Sequence, residues 1–459
     1  MGLGNQVREH RSLERRSFNS SEELLKKGIW LYFLLLIFEG ALRKWVLPGL
    51  ATPLLVVRDP IALWLVFSCW KKGFLPKDLL LVLMVVVGIA GVFTSLLAGH
   101  GNLFVAIFGA RVYLLHYPMI FVIGQVFKRE DVVKLGKATL LISIPIAILV
   151  ALQFYSPQSA WVNRGVGGVE GEGFSGALGF ARPPGPFSFT NGNTLFYSFV
   201  ACYIFYFWLR NEGINRTVLV LATGALLIVI PLSISRGLLF SAAVTMIFTM
   251  IAAARDVKFL IRMALAVVVA VTAILVLSQL SFFQTAVEAF SARFTTANES
   301  EGGLEGVLLD RYLGGLIGAF SASSGVPFWG FGMGTFTNVG TMILSGKLIS
   351  GISEGEWART IAELGHLLGL TVILIRLGTS LKLTILSYKR SAAGDVLSWI
   401  LLSFCLLNLP QGMWAQPTAL GFSVVGAGLV LASSKKDTRR KVRNVRRMNA
   451  GESLNNSQK

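Results

Sequence analysis

The sequence predicts an all-α, polytopic membrane protein: a bundle of about twelve transmembrane helices with a large extracytoplasmic loop. Three observations predict it. Of 459 residues, 54% are hydrophobic and only 14% charged, against roughly a quarter charged in soluble domains, and the mean hydropathy is +0.65. Apolar runs of membrane-spanning length recur along nearly the whole chain; they are continuous rather than alternating, which in hydrocarbon selects helices over a closed barrel. Lysines and arginines gather at the two ends and in alternate short connections, the pattern that keeps positive charge on the cytoplasmic side.

In chain order, residues 1–27 read as a basic cytoplasmic arm. The first apolar segment follows a polar head and has no small-residue cleavage site after it, so it reads as a retained helix. Helices are expected over about 28–47, 51–70, 78–98, 103–127, 134–155, 192–209, 216–233, 236–254, 258–280, 358–388, 396–411 and 413–433, which makes 28–433 the transmembrane domain. With the amino end inside, the inner connections are Lys71 to Gly73, Lys128 to Lys137, Arg210 to Arg216, Arg255 to Arg262 and Lys382 to Arg390, and every one is basic. The long loops 156–191 and 281–357 fall outside, and residues 434–459 form a basic cytoplasmic tail.

A formal net charge of +18 would point to nucleic acid in a soluble protein. Here no aromatic platform interleaves the charges, so the partners expected for the two arms are anionic membrane lipids and not nucleic acid. Cys69, Cys202 and Cys405 all fall in apolar spans, and their placement implies neither a disulfide framework nor a metal site.

Charged residues inside apolar spans need partners or a wet cavity. The first span holds Glu39, Arg43 and Lys44, and the second contains Arg58-Asp59-Pro60. Counted from the turn near Gly49, Glu39 and Asp59 each lie ten residues away and so share a depth. They are expected to neutralise Arg43 and Arg58 across the hairpin, with Arg111 joining them; contact with substrate is the other reading.

Four outer features carry possible chemistry. Arg182-Pro183-Pro184-Gly185-Pro186-Phe187 is an extended segment that cannot be helix, followed by Asn191 or Asn193 as candidate helix cap. The short turn Ser233 to Gly237 puts Arg236 at a helix amino end, where backbone N–H groups favour an anion. The large loop carries Glu288, Arg293, Glu299, Glu301, Glu305, Asp310 and Arg311, and then the glycine-rich Pro327 to Gly334. That cluster lacks the Lys-Ser/Thr ending of a phosphate loop. Glu356, Arg359, Glu363 and His366 are spaced to share one helix stripe, either a salt-bridged one, Arg359 to Glu363, or a functional one.

Taken together, the Arg-Pro-Pro-Gly-Pro-Phe segment at 182–187, Ser-Ile-Ser-Arg-Gly at 233–237, Arg311 followed by Gly330-Phe331-Gly332-Met333-Gly334, and Glu363-Leu364-Gly365 resemble the O-antigen ligase and polymerase family of bacterial envelopes, over about two thirds of the chain. The resemblance implies a GT-C-like ligase or polymerase architecture in the bacterial inner membrane. It also implies transfer of a glycan from an undecaprenyl diphosphate carrier to an acceptor hydroxyl on a glycan or lipid, without cofactor or metal. Arg182, Arg236 and Arg311 match the family's carrier-binding arginines, and guanidinium suits forked contact with phosphate oxygens. Arg359 is a further substrate-binding candidate. Ligases of the family carry a His-Asn pair just before the helix after the large loop, where this chain reads Ser353-Glu354-Gly355-Glu356-Trp357. Glu356, or Glu354, is therefore the candidate base for the acceptor hydroxyl. The competing functions are a secondary transporter, which usually shows repeat symmetry that this chain lacks, and a non-catalytic component of an exopolysaccharide export system.

Overall fold

The computed structural model describes residues 3–171, 173–210, 212–254, 261, 272, 279–301, 325–344 and 355–435. Within them the chain is almost wholly helical. The helices are α1 (Leu3–Ala41), α2 (Asp59–Lys71), α3 (Leu79–Leu97), α4 (Leu103–Arg111), α5 (Tyr117–Val126), α6 (Arg129–Tyr155), α7 (Thr190–Leu209), α8 (Arg216–Leu232), α9 (Arg236–Ala253), α10 (Ser281–Glu301), α11 (Asn338–Ile343), α12 (Glu356–Ala392), α13 (Leu397–Asn408) and α14 (Pro417–Ser433). A small antiparallel hairpin, β1 (Ser175–Ala177) with β2 (Phe180–Ala181), decorates the connection before α7. Among the described residues seven spans are long and apolar enough to cross a membrane, and three further apolar helices, α8, α13 and α14, are shorter. The helix expected over 258–280 lies almost entirely outside the described residues.

Local chemistry sets the boundaries. The side chains of Asp78, Asn102 and Asn215 accept from the first free N–H groups of α3, α4 and α8. On α3, Leu79, Val82, Val86, Ile89 and Phe93 stay exposed along one face, an apolar surface too long for water and suited to lipid. At the bundle centre, α7 buries Phe196, Tyr197, Phe199, Tyr203 and Tyr206, and the Phe199 ring packs 5.4 Å from Phe404 and 6.3 Å from Phe422.

Two sequence expectations are corrected. The segment 281–357 is not simply loop, because it contains α10 and α11. In α10, Phe283, Ala286 and Ala289 recur at helical spacing and are buried, an apolar stripe that the surrounding charges disguise. Neither Asn191 nor Asn193 caps α7, whose N-cap is Phe189 without a side-chain bond. Instead Asn193 Nδ2 donates to the Pro183 carbonyl (3.4 Å) and Asn191 to Gln416 (3.3 Å). The proline segment folds back onto the helix and occupies Asn193, while the α13–α14 connection takes Asn191.

The connections sort into two sets. On one side Arg129 donates to Glu212 (2.7 Å), to Asp395 (2.8 Å) and to the Tyr206 hydroxyl (2.8 Å), and Lys128 and Lys26 pair with Glu22. On the other, Lys44 and Arg43 reach the 182–191 segment, Trp45 stacks on Trp161 at 5.6 Å, and His100 Nε2 lies 3.1 Å from the Met333 carbonyl. The two sets coincide with the two groups of connections that the charge pattern separates.

Candidate anion-binding site

The first hairpin holds a chain of charges. Glu39 accepts from Arg58 Nε at 3.1 Å and pairs with Arg43 at 3.7 Å. Asp59 does not take part in that pairing: it accepts from Arg111 Nη1 at 2.9 Å and lies 2.9 Å from His116 Nε2. His116 Nδ1 in turn meets the Tyr32 hydroxyl at 2.9 Å. Glu39 thus serves both hairpin arginines, while Asp59, at the amino end of α2, turns towards the π-helical turn that joins α4 to α5. His116 was legible only as a lone histidine in an apolar run.

Arg182 is positioned by the β-hairpin. Its N–H donates to the Phe174 carbonyl at 2.8 Å, and Phe180 stacks on Phe154 with ring centres 4.8 Å apart. Burial, and then the positive charges of Arg293 and Arg236, hold the Arg182 guanidinium below the usual arginine value. Three arginines from separate outer segments therefore share one electrostatic neighbourhood. Arg236 opens α9 behind Ser235, whose Oγ accepts from Leu238 N–H (3.4 Å) and bonds Thr194 (2.9 Å). Arg293 comes from α10, which packs against α8, α9 and β1. Sequence reasoning had noted Arg293 only as a loop charge. Arg311 and Glu354 lie outside the described residues.

Two cavities adjoin Arg182's segment. One, of about 510 Å³, is lined by Arg43, Thr52, Phe174, Ser188, Phe189 and Asn338 among others. The other, about 20 Å³, is lined by Lys44, Arg164 and Arg182 together with Gln153, Asn163 and the two prolines. Phe174, Gly173 and Ser188 line both. The proline segment can lie directly on α1 because Gly40 has no side chain: a Cβ there would stand 2.5 Å from the Pro186 carbonyl oxygen.

The stripe on α12 is a closed ion-pair network. Arg359 donates to Glu356 through Nε (3.0 Å) and Nη2 (2.8 Å), and to Glu363 through Nη1 (2.6 Å). Arg376 adds a bond to Glu356 at 2.9 Å and gives its remaining donors to the carbonyls of Leu409 (2.9 Å) and Gly412 (2.7 Å). Both oxygens of Glu356 are engaged and its side chain is 1% exposed, a poor position for receiving a proton from an acceptor hydroxyl. Arg359 is likewise spent on carboxylates. Arg376 escaped sequence reasoning, although a lone arginine in the apolar length of that helix was the available signal.

The glycine cluster is a clasp and not a phosphate loop. At Gly365 (φ +77°, ψ 175°) α12 breaks, which frees carbonyls that an unbroken helix would satisfy. Phe331 N–H donates to Ala362 O (2.8 Å) and Gly332 N–H to Glu363 O (3.0 Å). Phe336 N–H takes the Glu363 carboxylate (3.0 Å) and Met333 N–H takes Ser95 Oγ (2.8 Å). Gly330, Gly332 and Gly334 all have positive φ, as this path requires.

Among the described residues no group of three or more His, Cys, Asp or Glu side chains could hold a metal ion. Comparison with protein-family models, with curated proteins and with solved structures finds no match to this chain.

Proposed function

We propose that this chain is a lipid-linked glycan transferase of the ligase or polymerase type, with a GT-C-like bundle of about twelve helices in the bacterial inner membrane and both termini cytoplasmic. It moves a glycan from an undecaprenyl diphosphate carrier to an acceptor hydroxyl on another glycan or lipid. The observation that supports this is that the charges of Arg293 and Arg236 both bear on the guanidinium of Arg182, a residue whose backbone N–H is held by Phe174, which lines a cavity of about 510 Å³ that mixes aromatic and polar side chains. Like charges held together favour an anion between them, and a diphosphate leaving group develops such charge as the glycosyl bond breaks. Guanidinium groups meet it with forked bonds. Glu356 is reassigned from base to the anchor of α12's outer end, because its oxygens already serve Arg359 and Arg376.

The test is complementation of surface polysaccharide assembly in a deletion strain at matched membrane levels. Arg182→Lys, Arg236→Lys and Arg293→Lys are each expected to fail nearly as badly as the alanine variants, since a point charge cannot reproduce the fork. Glycans reduced to single repeat units identify a polymerase, and intact chains not joined to their acceptor identify a ligase. Full activity in all three lysine variants would refute the diphosphate role.

A further inference from the structure

The small cavity beside Arg182 has a charge balance that the diphosphate role does not use. Its lining contains three cationic side chains, Lys44, Arg164 and Arg182, and no carboxylate. Lys44 is 1% exposed; its ammonium donates to the Gly185 carbonyl (2.6 Å) and stands 4.3 Å from the centre of the Trp45 ring. Among the described residues no acid pairs with it. The Nε atoms of Arg164 and Arg182 are both buried without a hydrogen-bond partner. Arg164 does meet Glu170 through Nη2 at 3.3 Å, on the exposed rim.

Two of the three neutral amides of the wall are already committed, and Gln158 is the third. Gln153 bonds the Val162 carbonyl and both backbone groups of Gly185. Asn163 gives its amide to the carbonyls of Gln153, Ser156 and Pro157. Donors left over therefore belong to the cations and to the half-buried Gln158 amide, and a buried ammonium without a counter-charge is costly. At about 20 Å³ the space suits a group little larger than a water molecule and excludes a sugar ring. The ring has room next door, across the walls made by Gly173, Phe174 and Ser188.

We propose that this small cavity receives one compact anionic substituent, a carboxylate or a phosphate ester, on a sugar whose ring lies in the adjoining large cavity. The inference rests on the glycan-transfer function proposed above and makes its substrate an acidic glycan. Lys44 supplies the central charge and Arg164 the second contact, while Arg182 stands between this cavity and the arginine cluster.

The full-length protein in nanodiscs of zwitterionic lipid is titrated with cellobiose, cellobiouronate, cellobiose 6-phosphate and inorganic pyrophosphate. At least one acidic disaccharide should bind about tenfold more tightly than cellobiose, the gain of one or two charge-assisted bonds. Which of the two does so tells carboxylate from phosphate. Lys44→Met and Arg164→Gln should each erase that preference and leave cellobiose affinity and pyrophosphate affinity unchanged. Arg164 is partly exposed, so its variant decides the matter if Lys44→Met does not fold. Equal binding of cellobiose and both acidic sugars overturns the proposal, as does equal weakening of neutral and acidic sugars. Loss of pyrophosphate affinity in Lys44→Met and Arg164→Gln also overturns it, by making the cavity part of the diphosphate site. Acidic-sugar binding without any binding of pyrophosphate would keep this proposal and remove the diphosphate site on which the transferase function rests.

Discussion

Arg376 and Glu356 form an ion pair of 2.9 Å in which both side chains are 1% exposed. The pair ties the membrane length of α12 to its outer end, and Arg376 extends it to the α13–α14 turn through the carbonyls of Leu409 and Gly412.

Breaking a buried pair leaves one charge uncompensated, at about 3–5 kcal/mol. Glu356→Gln is therefore expected to lower the amount of folded protein in the membrane, read by size-exclusion of the solubilised chain. Glu356→Gln combined with Arg376→Gln should recover part of it. Normal folding of Glu356→Gln with complete loss of transfer would return Glu356 to the role of base.

The break in α12 gives a second expectation. A Cβ on residue 365 would lie 2.0 Å from the Phe328 carbonyl oxygen, at a φ of +77°. Gly365→Ala should destabilise the protein by more than the roughly 1–2 kcal/mol of left-handed strain alone, read as a lowered melting temperature. Gly224→Ala in α8, where nothing lies within 4 Å, should be neutral or stabilising. Equal melting of the two variants would exclude the clasp.

Glu212 sits in the α7–α8 connection. Burial raises its carboxyl, but the hydrogen bond and charge of Arg129 outweigh burial and hold it below the usual glutamate value. A depressed carboxylate contributes stability that is present above its unfolded pKa and is lost as pH falls through the folded one. Melting of the detergent-solubilised protein should therefore decline from about pH 5 downward, and less steeply in Glu212→Gln. An unchanged slope in that variant would argue against the pairing.

Sidedness is open to direct labelling. Ser175 and Lys72 are both exposed and belong to opposite sets of connections. In intact cells an impermeant maleimide should modify Ser175→Cys and spare Lys72→Cys. The reverse pattern would invert the topology and with it the outer placement of the arginine cluster.

Legibility in the sequence followed the range of the interaction. Helix positions came from local composition, and α3 and α8 begin within a residue of expectation because their limits are set by neighbours in the chain. The shared depth of Glu39 and Asp59 is countable across a hairpin, and Arg111 in the fourth span is expected to join them, as it does on Asp59. Asp59's other partner, His116, lies 57 residues away, where no periodicity points. The glycine cluster was read as a loop of its own, while its geometry is dictated by carbonyls freed at Gly365. Lys44 was visible as a charge in an apolar span, but its lack of an acidic partner emerges only once the 153–188 segment is folded around it.

Arg129 carries a consequence for the order of events during synthesis. Its guanidinium is made 266 residues before Asp395, so the ribosome releases the donor long before that acceptor exists. Glu212 arrives first, and Asp395 can close the set only after α12 has been made. A chain cut short at the end of α12 leaves that arginine without its Asp395 partner, and the completed set marks a molecule whose synthesis has passed α12.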